Sequence, residues 1–407
     1  MALTAPVVAD APPTSQSRLA YVDGLRAVAA LWVVCNHAWL TIYPNVDEPT
    51  NAHGVLALLT DWMTLGHFAV VAFIVLSGYS LAISSVANRH RLRGGFWLFA
   101  RRRFVRIVLP YWGALLISLA LAASVLGRTT GTHWDSALPV TARGVLLHAL
   151  LLQDVGTTGQ INHALWSIAL EWHSYFLFPL ILLLRRRLGL VPATLAVVAT
   201  AAVISAQFNG GLTLWAEANL IGCFALGVAA REIASLDGVI RLPGRRSVCP
   251  PWRLVTFVAL AGMIAIVVLL GVRHGAQRNN ALLEPLAGAA TACLLIMLSR
   301  HACGWCRRAL SWRPLVCVGT FSYSVYLLHA PLLQLVWQYV LTPLGLPRRQ
   351  GGGLAALLVV GLAGSLAAGW GYWRLVERRC VRSGVDGAGE KAARRRGSAS
   401  ASPGPGG

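Results

Sequence analysis

Charge is what this sequence lacks. Only 12% of its 407 residues are charged, 15 of them acidic, and Lys391 is the one lysine among 35 basic residues. A soluble domain carries about twice that share of charge, so a water-facing enzyme surface is excluded. Polar low-complexity sequence is scarce too: at 56% hydrophobic, the chain cannot be disordered over most of its length. The first residues hold Pro12, Pro13 and several Ser and Thr, with no basic stretch leading into an apolar core. That composition predicts a flexible tail and not a cleavable signal. No internal repeat of the kind that builds transporters is visible. The eight cysteines are scattered, and only Cys303-Gly-Trp-Cys306 beside His301 has metal-like spacing. Without a second pair it makes no four-ligand zinc site, so no metal is expected.

Apolar runs of about 20 residues, the length that crosses a bilayer, are what the sequence has in plenty. The expected fold is all-α, a polytopic transmembrane helix bundle of about ten spans. They fall near 20–41, 66–87, 104–126, 163–184, 190–207, 213–230, 254–272, 281–299, 314–340 and 353–373. Asn209-Gly210-Gly211 is expected to join the fifth and sixth as a tight hairpin. On this count 28 basic residues lie on one side of the membrane and 6 on the other, with Arg26 inside a span. The positive-inside rule then puts both termini in the cytoplasm and the chain in a plasma (inner) membrane. It also accounts for the net charge of +20 without nucleic acid. Residues 1–19 are expected as a flexible tail, 20–380 as the membrane domain, and 381–407 as a disordered basic tail able to touch anionic membrane lipids. The longest loop, about 127–162, is too short for a separate domain.

An ionisable group at membrane depth is costly and usually functional. The first span holds Asp23, Arg26 and His37. At 100° per residue Arg26 and His37 fall only ~20° apart on one face, separated by ~16 Å of rise, with Asp23 within ~60° of both. In the fourth span Ser167, Glu171 and Tyr175 follow Trp166 at four-residue spacing and so share a face. Glu171 and His37 sit at matched depth, which predicts a proton-handling pair in which the carboxylate orients or charges the imidazole. Ser77-Gly78-Tyr79 closes the second span. Arg103 and Arg106, one turn apart at the start of the third, suit phosphate binding by bidentate donors. The ninth carries Tyr323, Tyr326 and His329 along one side, and Pro331 is expected to loosen the helix beside the imidazole.

These segments, in this order, resemble acyltransferase family three, the integral membrane acyltransferases. The carriers are Asp23-Gly24-Leu25-Arg26 with Asn36-His37, then Ser77-Gly78-Tyr79, Arg103 and Arg106 ahead of Pro110, Trp166-Ser167 to Glu171, and Ser322-Tyr323 to His329. The similarity runs from about Tyr21 to Arg379. The resemblance implies transfer of an acyl group, commonly acetyl from acetyl-CoA, to a sugar hydroxyl, with His37 and Arg26 essential. Ala27 stands where the family usually has Gly, and Trp172 and Ser174 interrupt its usual acid and aromatic pairs.

Residues and resemblance together give one expected mechanism. Acyl-CoA approaches from the cytoplasm with its phosphates on Arg103 and Arg106; Arg26 polarises the thioester or holds a phosphate. His37 is the general base or the acyl carrier, supported by Glu171. Asp23, Ser77, Trp166, Ser167, Tyr175, Tyr323 and His329 are expected to line the substrate site. The acceptor is a cell-surface polysaccharide or a glycosylated metabolite. None of the 11 His is followed by the His-x4-Asp pattern of soluble-type acyltransferases, which removes glycerolipid acylation. The rival reading is a proton-coupled transporter or flippase of a sugar-containing substrate, with His37 and Glu171 as its relay.

Overall fold

With no water in the hydrocarbon to satisfy backbone N–H and C=O groups, an apolar run must bond its backbone within itself, and each run here is a helix. The computed structural model describes residues 19–44, 54–156, 161–207, 217–242, 246–272, 279–346 and 351–381. The long helices are α1 (Ala20–Ile42), α2 (Gly66–Ala87), α3 (Gly95–Ser124), α4 (Trp166–Leu188), α5 (Leu190–Gln207) and α6 (Asn219–Ser235). They continue as α7 (Trp252–Leu270), α8 (Asn280–Ser299), α9 (Arg313–Thr320), α10 (Ser322–Leu341) and α11 (Gly352–Val381). A two-residue β-ladder, Ile240–Arg241 with Ser247–Val248, is the one departure from all-α among the described residues.

The ten expected spans are corrected to eight, or nine if α9 and α10 count as one span bent by 73°. The difference lies at 213–230, where α6 has only 17 residues. At 1.5 Å per residue it reaches about 26 Å, short of a ~30 Å hydrocarbon core. It is apolar because α2, α5 and α8 enclose it, not because it faces lipid. The Asn209 turn and both expected tails lie outside the described residues, apart from Leu19 and Val381 at their edges. The long loop is not peripheral. It forms a turn at His133–Ala137 and a helix at Ala142–Ala149, and buries Trp134 at 1% exposure against the bundle.

Three five-residue π-turns, Phe104–Val108, Trp337–Leu341 and Trp373–Glu377, interrupt the long helices. Such bulges often mark functional sites, and two of them present Arg106 and Glu377 to the cavity described below. The sharp bend in the ninth segment falls at Phe321 and not at Pro331. Pro331 leaves the Leu327 carbonyl without its helical donor, and Asn162 Nδ2 bonds that carbonyl at 3.2 Å, so the helix continues through the proline.

α2 is the central helix, packed on α1, α6 and α8. Its crossing with α6 needs two glycines: a Cβ on Gly78 would lie 2.2 Å from the Phe224 carbonyl oxygen, and one on Gly227 2.0 Å from that of Val75. Small residues let backbones in a membrane approach this closely. Gly227→Val is expected to destabilise the bundle by about 3 kcal/mol through overpacking, read as a loss of monodisperse protein and a lower Tm in detergent.

Candidate active site

The Arg26 guanidinium is held between two helices. Its Nη1 donates to Asp23 Oδ1 at 3.0 Å, one turn earlier on α1, and its Nη2 donates to Ser80 Oγ at 2.8 Å on α2. The Ser80 hydroxyl in turn donates to the Leu76 carbonyl, which leaves its lone pair to the arginine. Three residues before Ser80, Ser77 Oγ donates to Glu171 Oε1 at 2.7 Å. Tyr175 also donates to Glu171 Oε1 and lies 2.9 Å from Ser77. α2 therefore stands between α1 and α4 and gives each a hydroxyl.

These groups enclose a cavity of about 220 Å³. Arg26, Ser77, Arg103, Arg106, Ser167, Glu171, Tyr175 and Tyr323 all line it, so eight of the twelve residues expected from sequence meet there. Glu377 and Ser80 line it as well and were missed: Ser80 lies one turn from Ser77, and Glu377 is an acid at the end of the last apolar run. Three guanidiniums face two carboxylates, an excess of positive charge. Arg103 Nε is buried without a hydrogen-bond acceptor. A donor stranded in a cationic cavity is suited to an anion.

Four expected residues lie off the wall. Asp23 supports Arg26 from behind. Trp166 stacks on His67, with ring centroids 5.7 Å apart and planes 4° from parallel. His37 and His329 lie beyond Tyr326, whose hydroxyl is 2.7 Å from Ser167 Oγ and whose ring is 5.6 Å from His329. The expected pairing of Glu171 with His37 is not formed: Ser77 and Tyr175 take the Glu171 carboxylate instead.

His37 belongs instead to a cluster of imidazoles. His163 stacks on it at 4.6 Å, His329 meets it edge-on at 4.9 Å, and His133 lies 5.8 Å away. His329 Nδ1–H donates to the Tyr326 carbonyl at 2.8 Å, leaving Nε2 buried without a partner. His37 Nδ1 and both His163 nitrogens are buried and unpartnered too. His133, which the sequence reading overlooked, comes from the long loop, and His163, expected as the first residue of the fourth span, comes from the turn ahead of α4. Burial, the largest cause, holds the imidazoles of both loop residues below their ordinary pKa, and His163 is lowered further by its His133, His37 and His329 neighbours.

Ligand atoms of His37, His133 and His163 come within 4.8 Å of one another. The rings of His37 and His163 are only 10° from parallel, so their in-plane lone pairs do not converge on one ion. Cys303 and Cys306, the metal-like spacing, are joined as a disulfide.

A membrane bundle that combines a cationic cavity with a neighbouring imidazole cluster is the setting of a group-transfer enzyme. Residues 19–374 match the acyltransferase domain of acyltransferase family three, and the chain belongs to that family of integral membrane O-acyltransferases. It is therefore a multi-pass membrane acyltransferase, and the transporter reading falls. Among its relatives, acyltransferase MdmB of Streptomyces mycarofaciens is 26% identical over 91% of this chain and 93% of its own. The putative peptidoglycan O-acetyltransferase YrhL of Bacillus subtilis is 26% identical, and the peptidoglycan O-acetyltransferase OatA of Listeria monocytogenes 23%, each over 77% of this chain. The chain spans about half the length of these two, 48% and 49%. No solved structure matches.

Two buried imidazoles with lowered pKa make stability depend on pH. Between their folded pKa values and the ordinary value of about 6.5, the unfolded chain binds protons that the folded chain refuses, so stability rises with pH there. Thermal melting in detergent is expected to fall as pH drops from 7 toward 5, and His163→Asn should flatten that fall.

Proposed function

We propose that the protein moves an acyl group, acetyl foremost, from acyl-CoA to a hydroxyl of a sugar-containing acceptor at the plasma (inner) membrane. The observation that carries this reading is the anion-suited cavity beside an unpartnered His37. Arg103 and Arg106 hold donor phosphates at the arginine-rich end, which faces the cytoplasm. A cavity of about 220 Å³ is smaller than an ordinary ligand pocket of about 300–1,000 Å³. It suits the acyl thioester and its pantetheine arm, with the nucleotide left at the mouth. Arg26, held in place by Asp23 and Ser80, polarises the thioester carbonyl as negative charge develops on it.

His37 is the general base. Its free nitrogen takes the proton of the acceptor hydroxyl, the oxygen attacks the thioester carbonyl, the C–S bond breaks, and the CoA thiolate leaves as the thiol with that proton. His163 and His133 crowd His37 with neutral rings, which keeps it able to accept. The Ser167–Tyr326 hydrogen bond lies between the cavity and the imidazoles, so it opens for donor and base to meet. Glu171 holds Ser77 and Tyr175 in the cavity wall and does not act on His37. Likeness to two peptidoglycan O-acetyltransferases supports a sugar hydroxyl as acceptor. MdmB, an acyltransferase matched over nearly its whole length, leaves a glycosylated metabolite as suitable an acceptor as a surface polysaccharide.

Purified protein is expected to release free CoA from acetyl-CoA only when a sugar acceptor is present, and mass spectrometry should find the acceptor heavier by one acetyl group. His37→Ala should lower the rate by about 10³-fold or more while Tm stays nearly unchanged; full activity in that variant excludes His37 as the base. Arg103→Ala should raise KM for acetyl-CoA about tenfold, the worth of one charge-assisted hydrogen bond, with a smaller effect on the acceptor.

A further inference from the structure

A second ionisable cluster lies outside the transfer cavity. His67 from the first turn of α2, Glu217 from the turn ahead of α6 and Glu284 from the start of α8 meet at the end of the bundle nearest His37. His67 Nε2 is 2.6 Å from Glu284 Oε1 and 3.8 Å from Glu217 Oε2. Glu284 is 1% exposed and Glu217 8%. One oxygen of each, Oε2, is buried with no hydrogen-bond partner. Asn219, two residues after Glu217, donates to the Ala281 carbonyl at 2.9 Å, which leaves its own Oδ1 buried and unpartnered. Ligand atoms of His67, Glu217 and Glu284 thus lie within 4.8 Å of one another, and neither Oε2 has a hydrogen-bond donor.

Burying a carboxylate without compensation costs several kcal/mol. His67 can supply at most one positive charge against two carboxylates, and among the described residues it is the only base facing them. The missing partner is therefore electropositive. Donor atoms around a small divalent ion lie about 2.0–2.2 Å from it and hence roughly 3–4 Å apart; the 3.8 Å separation falls in that range, and the 2.6 Å His67–Glu284 hydrogen bond has to open slightly to admit the ion. Stacking on Trp166 fixes the His67 ring, the kind of support that metal-binding imidazoles receive from their surroundings. An imidazole with two carboxylates suits zinc or manganese better than magnesium or calcium, which prefer all-oxygen sites.

We propose that His67, Glu217 and Glu284 bind one divalent zinc or manganese ion that ties α2, α6 and α8 together. The site stands apart from acyl transfer and does not depend on the identity of donor or acceptor. It bears on the imidazole cluster through packing: a Cβ on Gly66, next to His67, would come within 2.3 Å of the Asn36 side chain, and Asn36 precedes His37.

The test is metal analysis of tag-free, full-length protein purified in detergent without chelator, followed by chelation and separate titration with Zn²⁺ and Mn²⁺. The expected result is about one equivalent of metal per chain, a lower Tm after chelation, and recovery with one of the two ions. Glu217→Gln and Glu284→Gln should each hold less than about a tenth of an equivalent, with a Tm that ignores added metal. Wild-type protein that is monodisperse, metal-free and equally stable with chelator or either ion overturns the proposal, because the three groups then share only a proton. If neither variant folds, the wild-type titration still decides.

Discussion

Arg26 imposes the constraint around which the rest is arranged. A guanidinium sunk among apolar helices must have its hydrogens taken, and the nearest acceptors available to it are the Asp23 carboxylate on its own helix and the Ser80 hydroxyl on the next. Meeting both fixes the rotation of α1 against α2. With that rotation set, α2 turns its Ser77 toward α4 and stations Glu171 at the cavity, while α1 carries His37 some three turns further along toward the loop. The close glycine contact between α2 and α6 then holds the central helix at the depth this geometry needs.

One bundle thus separates two chemical environments. The arginine-rich cavity is cationic, small and lined by hydroxyls; the imidazole cluster is neutral, crowded and short of hydrogen-bond partners. Ser167 and Tyr326 meet between them. On the proposed reading, group transfer asks for that division, because an acyl-CoA donor and a hydroxyl acceptor need opposite surroundings, and joining them only at one narrow point protects the thioester from water.

The features legible in the sequence were those carried by one helix at a time. Helical spacing placed Arg26 above Asp23, grouped Ser167, Glu171 and Tyr175, and aligned Tyr323 with Tyr326 and His329. Six of those eight residues line one cavity. What the sequence did not show was which helices are neighbours: counting residues along two helices says nothing about which side chains Glu171 and His37 meet. Nor could it show that α6 is apolar through burial by protein, since a run enclosed by helices reads like one facing lipid. His67, Glu217 and Glu284 are separated by 150 and 67 residues, so no motif scan along the chain would bring them together. Glu377 escaped notice because a π-turn, which has no sequence signature, swings it inward.

Two of the three imidazoles around His37 arrive on the loop after α3, not on a membrane helix. His133 sits in its first turn and His163 at its far end, both anchored by burial of Trp134 and by Asn162 on the proline-freed carbonyl of α10. Loops tolerate change better than the helices they join. A lineage can therefore rewrite this segment, trading imidazoles and reshaping the face offered to the acceptor, while the donor side stays as inherited. On the proposed reading, the architecture lets recognition of new acceptors evolve at one end without renegotiating the fold at the other.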